Sequence, residues 1–249
     1  MSDFFAYNFQ GGGFVAFSRE HIWGLLGVAV LISAIIIFDY LTDKKYQRII
    51  SITMAVLLLL QELSLSLVRI HWGVWDISTS LPLQLCGAAV IMSAILLITK
   101  NYRIYEIVYF WSLSGAIQAL LQPNLTRFGF PHYRYFQFFF SHGMILATAI
   151  YFTVSYGYRP TKKSIVRAFV FTNIYALVIG AFNLLVDGNY MFLCHKPETA
   201  SLMDVMGPWP VYIIPLEFMA LISYLFYYSP FAIYDFLTSR SLDSEISYD

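Results

Sequence analysis

The chain has 249 residues, 59% of them hydrophobic and only 12% charged, with fifteen basic side chains balancing fifteen acidic ones, and its mean hydropathy is +0.64. A water-soluble domain carries roughly twice that share of charge, so composition excludes a soluble globular enzyme and a disordered chain, while zero net charge removes the basic footprint of a nucleic-acid binder. An integral membrane protein is left, in which Cys86 and Cys194 are too few for a disulfide scaffold and lack the paired spacing of a zinc site.

A helix crossing about 30 Å of hydrocarbon needs roughly 20 apolar residues. Seven stretches meet that standard, near 22–41, 49–68, 82–99, 105–121, 135–156, 165–187 and 210–231. They are too long and continuous for barrel strands, and every backbone group in lipid must be satisfied internally, so helices are expected. The fold class is all-α: a polytopic seven-transmembrane-helix bundle forming one domain over 1–231, with a short polar tail over 232–249. The N-terminal segment lacks the basic region of a cleaved signal peptide. Ser80 and Pro82 read as N-cap and first-turn proline of span 3. Gly115 with Ala119, and Ala176 with Gly180, allow close helix approach in spans 4 and 6. In span 7, Pro215 is expected to free the carbonyl of Val211 and bend the helix.

Orientation follows from charge. Ten of the fifteen basic residues fall in the connections after spans 1, 3 and 5 and in the tail, which places the N-terminus outside and the C-terminus in the cytoplasm. The expected location is the plasma membrane.

Polar groups are costly in a bilayer, so their depth is informative. At 1.5 Å per residue, Cys86 lies roughly 6 Å from the outer edge, Glu62 roughly 9 Å and His142 roughly 10 Å. Gln84 and Gln118, Asn183 and Glu217 fall in the same outer half, and the adjoining loops add Asn124, Asn189 and Trp209. Asn173 falls elsewhere and Asp39 lies near the inner edge. One outward-opening polar chamber is the expectation, although shared depth says nothing about which way side chains point.

Cys86 is the sharpest candidate within it. A thiol early in a helix feels the positive end of the macrodipole, and Gly87 beside it would let a carbonyl approach. The competing readings are a packing cysteine and a disulfide to Cys194 on the oxidising side. His142 suits a general base, or a neutral imidazole bonded between helices. Glu62 and Glu217 suit orienting the imidazole, relaying protons, or acting as interhelix glue. His71, His132 and His195 read as exposed loop residues. No grouping has metal-ligand spacing and no glycine loop resembles a phosphate cradle, so neither metal nor cofactor is expected.

The sequence Leu81-Pro82-Leu83-Gln84-Leu85-Cys86 resembles the proline–cysteine helix start of the YwaF family of bacterial integral membrane proteins. Gly115-Ala116-Ile117-Gln118-Ala119, Gln122-Pro123-Asn124, Ser141-His142-Gly143, the run from Asn183 to Leu193 and Pro208-Trp209-Pro210 are similar too. These matches cover spans 3 to 7 in order. That family is distantly similar to the animal transmembrane protein 164 family of cysteine-dependent phospholipid acyltransferases. The resemblance implies that Cys86 is the acyl-accepting thiol and His142 its base, with Gln84 where many relatives carry a histidine. The implied partners are membrane lipids, a phospholipid or lysophospholipid substrate; no nucleic acid and no protein partner is indicated. The expected function is an acyltransferase or lipid hydrolase of the outer leaflet, with Cys86, His142, Glu62 and Glu217 catalytic and Gln84, Gln118, Asn124, Asn183, Asn189 and Trp209 binding substrate. The alternatives are a transporter using the Glu/His cluster, or a structural or sensory protein.

Overall fold

A computed structural model of the chain describes residues 3–197 and 202–246, with side chains as far as Ser239. The helices in chain order are α1 (Arg19–Leu41), α2 (Gln47–His71), α3 (Leu85–Thr99), α4 (Tyr102–Leu121), α5 (Tyr133–Val154), α6 (Lys162–Val186) and α7 (Ile213–Ile246). No strand occurs among the described residues. Six of these helices are long and apolar enough to cross a membrane; α3, at 15 residues, is the shorter apolar one.

Local chemistry sets the boundaries. The Ser18 hydroxyl caps α1 by accepting from His21 N, and the Asn101 side chain caps α4 by accepting from Arg103 N. Thr161 and Ser164 form a reciprocal capping box on α6. Lys100 and Asp187 close α3 and α6 in the left-handed conformation.

The helix starts differ from expectation at two prolines. Ser80 does not cap α3: its hydroxyl accepts from Asp76 N, Leu81–Leu83 form a separate turn, and Gln84 is the N-cap residue. Pro215 does not bend α7. It occupies the third position of that helix, where no intrahelical donor is missed, and the Val211 carbonyl accepts from Ile214 N instead. The interior proline is Pro230; the carbonyl of Phe226, which it deprives of a donor, accepts from the Ser229 hydroxyl at 2.7 Å. The last helix also continues to Ile246, through most of the stretch read as a polar tail, while residues 247–249 lie outside the described residues.

α5 is the central rod, buried along most of its length and packed against α1, α2, α3 and α4. Around it Met54, Leu58, Leu97, Phe110, Ile145 and Phe152 form one continuous apolar core. The outward faces of the other helices are equally apolar: Leu177, Leu184 and Leu185 on α6, and Ile222 and Phe226 on α7, are all more than half exposed. Apolar surface on that scale is stable only against lipid tails. The molecule is a helical membrane protein.

α3 runs from the end of the bundle where α2 finishes to the end where α5 finishes. Near its start Tyr175 donates to Leu83 O at 2.9 Å; at its end Tyr158 donates to Lys100 O at 2.6 Å. The first of these ends carries the candidate site.

Candidate functional site

Cys86 is the second residue of α3, and the geometry around it is specific. Gln84 makes no capping bond to the helix, its side chain being turned away to accept from Met191 N at 2.8 Å. The amides of Leu85, Cys86 and Gly87 have no acceptor among the described residues, the first helical bond being Ala88 N to Gln84 O. An uncapped first turn concentrates the positive end of the helix beside the thiol. Gly87 is required there: an added Cβ would lie 2.8 Å from Pro82 Cα and 2.9 Å from its carbonyl carbon, both fixed backbone.

Opposite stands an interruption of α4. Ser112–Ala116 is a π turn, a feature common at functional sites because it re-aims side chains without breaking the helix. α3 packs on this turn, and a Cβ built on Gly115 would be 3.8 Å from Cys86 Sγ. Three buried hydroxyls at the junction have no hydrogen-bond partner: Ser93 on α3, and Ser112 and Ser114 in the turn. Unpaired buried hydroxyls cost free energy, while the thiol itself packs against the apolar core. Both cysteines are free thiols, which corrects the disulfide reading of Cys86 with Cys194.

His142 lies on α5, which also packs on α3 and on the π turn. Its Nδ1–H donates to Phe138 O at 2.8 Å, fixing the tautomer in which Nε2 carries the free lone pair. A backbone carbonyl thus orients the imidazole, where a carboxylate from Glu62 or Glu217 was expected. Among the described residues no hydrogen bond joins Cys86 to His142 directly.

Glu62 belongs to a larger polar group between the end of α2 and the start of α5. Gln61 Nε2 donates to Glu62 at 3.4 Å, Gln137 Nε2 donates to Gln61 Oε1 at 2.7 Å, and the Ser64 and Tyr133 hydroxyls are 2.6 Å apart. Arg69 and Arg134 are both in electrostatic range of Glu62. Arg69 also senses Tyr190, whose hydroxyl accepts from Leu81 N and donates to Ile77 O. This ties the arginines to the loop that leads into α3.

The remaining expected residues do other work. Asn183 spends both ends of its amide on Tyr190, accepting from its N–H and donating to its carbonyl. Asn189 accepts from Cys194 N and His195 N and donates to His195 O. With Gln84 bonded to Met191, these three amides brace the connection between α6 and α7. Glu217 accepts from Asn173 Nδ2 at 2.9 Å on the α6–α7 face, apart from Cys86 and His142. Gln118 and Asn124 are exposed with no side-chain bond recorded, and Trp209, also exposed, donates to Leu193 O. The single chamber inferred from depth is thus divided: Cys86, His142 and the Glu62 group share the α2–α3–α5 region, while Glu217 bonds Asn173 and the Asn183 and Asn189 amides are taken up in the α6–α7 connection. His132 is a further correction. It is fully buried, stacked against Trp72 and Phe128.

A model of the TMEM164 family matches residues 16–228. The chain belongs to the TMEM164 family. The matched region takes in all of α1 through α6 and the first half of α7, and with them Cys86, the π turn and His142. An uncharacterized protein of Treponema pallidum (strain Nichols) is 26% identical over 223 residues, covering 88% of this chain and 91% of that relative. No solved structure matches the chain. For this TMEM164 family member, two features of the site were missed in the sequence: the π turn and the Arg69–Arg134 pair. The π turn leaves no composition signal. The arginines were visible, but only as loop charges for counting orientation; their positions at the facing ends of spans 2 and 5 were the available clue.

Proposed function

We propose that the chain is a seven-span protein of the plasma membrane, N-terminus outside, that transfers or hydrolyses acyl groups of phospholipids in the outer leaflet. The observation that carries this reading is the setting of Cys86: an uncapped helix start, Gly87 kept bare by Pro82, and a π turn facing the thiol. The family, and the sequence's resemblance to the YwaF proteins, agree with it. In this reading α3 is the seventh span, lengthened at its start by the Leu81–Gln84 turn.

His142 Nε2 takes the Cys86 proton, through a water or the substrate itself, and the thiolate attacks the ester carbonyl of a phospholipid. The free amides of Cys86 and Gly87 are positioned to stabilise the oxyanion. As the tetrahedral intermediate collapses, the ester C–O bond breaks, the departing alkoxide receives the proton from His142, and a thioester remains on Cys86. A lysolipid hydroxyl or water, deprotonated by His142, then attacks the thioester and the thiol is restored. Transport finds less support, because Glu62, His142 and Glu217 are not joined to one another by hydrogen bonds among the described residues.

Purified protein incubated with phospholipid labelled in its acyl chain should acquire a hydroxylamine-sensitive adduct that is absent from Cys86→Ala. His142→Gln should form it at least a hundredfold more slowly. An adduct retained in Cys86→Ala, or no adduct with any phospholipid, overturns the reading.

A further inference from the structure

Arg69 and Arg134 make an unusual pair. They stand on the last turn of α2 and the first turn of α5, both half-buried, on helix ends that the Gln137–Gln61 and Ser64–Tyr133 hydrogen bonds hold together, within electrostatic range of each other. Each guanidinium has five N–H donors. Arg69 uses one on Ser80 O at 3.1 Å, and Arg134 uses one on Gln137 Oε1. No ion pair reaches either of them among the described residues. Glu62 is in electrostatic range but does not close on them, and its recorded bond is from Gln61. Of the neighbouring acceptors, Gln61 Oε1 takes a bond from Gln137, and the Ser64 oxygen takes one from the Tyr133 hydroxyl while Ser64 donates to Gln61 O.

Two half-buried positive charges against one negative charge, with most of their donors open, favour an anion. The forked donors of paired guanidiniums match a tetrahedral oxyanion. Height favours the same ligand, for Trp72 and Tyr133, aromatic residues of the type that anchors at lipid headgroups, flank the two arginines in the sequence. We infer that Arg69 and Arg134 form a binding site for a phosphate group, supplied by a lipid headgroup or by free phosphate. The lipid source rests on the acyl-transfer reading above. It would hold the headgroup beside the Ser80–Leu81 segment, which leads into α3, with the ester bonds directed into the bilayer toward Cys86.

Binding is measured on the detergent-purified full chain, by the shift in unfolding temperature, with three probes: inorganic phosphate, dihexanoylphosphatidylcholine and dihexanoylglycerol. The expected result is saturable stabilisation by phosphatidylcholine and none by the phosphate-free glyceride, with affinity at least tenfold weaker in Arg134→Gln and in Arg69→Gln. Stabilisation by inorganic phosphate with no preference for the lipid assigns the site to free phosphate. Glu62→Gln should bind the preferred probe more tightly, a gain that misfolding does not produce. Equal stabilisation by the glyceride, unchanged affinity in both arginine variants, or weaker binding in Glu62→Gln overturns the site. Because the readout is binding, it is independent of whether Cys86 becomes acylated.

Discussion

Each end of the bundle holds one glutamate among two arginines, yet the two groups are built to opposite ends. Around Glu106 the charges are paired: Arg167 Nη1 and the Ser164 hydroxyl donate to one carboxylate oxygen at 2.7 and 2.6 Å, and Arg103 Nη1 lies 3.5 Å from the other, which has no hydrogen bond among the described residues. Around Glu62 no ion pair forms, and guanidinium donors remain open. The difference lies in what each glutamate is packed beside. Glu106 is fully buried at the foot of α4, so both arginines must come to it. Glu62 is only half-buried and sits more than a helical turn away from Arg69 along α2. Equal composition therefore gives a structural clamp at one end and an unsatisfied positive field at the other. That field lies at the same end as Cys86.

The comparison breaks most visibly at Glu106. Glu106→Ala removes the acceptor of Arg167 and of a buried hydroxyl and the counter-charge of Arg103, and should destabilise the fold by about 3 kcal/mol, the low end for a broken buried pair. Arg103 and Arg167, whose side chains are 63% and 39% exposed, regain some solvent, which keeps the cost from being larger. Glu62→Gln should cost under about 1 kcal/mol, since it breaks no ion pair. Thermal or denaturant unfolding in one detergent reads both; equal losses would remove the distinction between the two clusters.

Two glycines sharpen the same contrast within the Cys86 end. Gly87→Ala drives a methyl against Pro82 backbone atoms at under 3 Å, so the Leu81–Gln84 turn must move, at about 2 kcal/mol. Gly115→Ala meets only ordinary contacts, 3.7 Å to Leu85 Cδ2 and 3.8 Å to Cys86 Sγ. It should leave stability within about 0.5 kcal/mol while slowing alkylation of Cys86 several-fold, because the new methyl stands over the sulfur. Unslowed alkylation would mean the thiol opens on another side.

Much of the scaffold was legible, and part of the site was not. Hydropathy located every helix to within a few residues at most ends, because lipid demands long apolar runs whatever their packing partners. Depth served less well. Counting residues from span ends puts Asn173 and Glu217 at different levels, yet they hydrogen-bond. α7 begins well below the end of α6, and the connection between them fills the gap with Tyr190 and Tyr212, both fully buried. Asn183 and Asn189 looked like ligand amides for the same reason: a sequence does not say that a buried turn will consume both ends of each. Glu106 drew no notice beside Arg103, where an ordinary interfacial pair would be expected, although it is the most buried carboxylate among the described residues. Cys86 and Gly87 were legible because the requirement is local, a thiol and a bare backbone in the first turn of a helix.

The smallest effect concerns the cap over the open end. His132 is the N-cap of α5: its Nδ1 accepts from Arg134 N at 3.1 Å, and its Nε2–H donates to Ala6 O at 3.1 Å. The bond from Arg134 N needs the neutral ring, whereas the one to Ala6 O survives protonation and opposes the shift; burial, with Arg134 acting in the same direction, still lowers the His132 pKa below the ordinary histidine value. The unfolded chain then binds a proton more readily than the folded one, so the contribution is full above pH about 6.5 and is lost as the pH falls below that value toward the lower folded pKa. Unfolding temperature should decline by a few degrees across that window. In His132→Asn, which keeps a side-chain acceptor for Arg134 N, the slope should flatten. A slope unchanged in that variant would assign the acid sensitivity to another group. A flattened slope would tie the cap on α5 at Arg134 N to one protonation event, which no group in the Glu106 clamp would share.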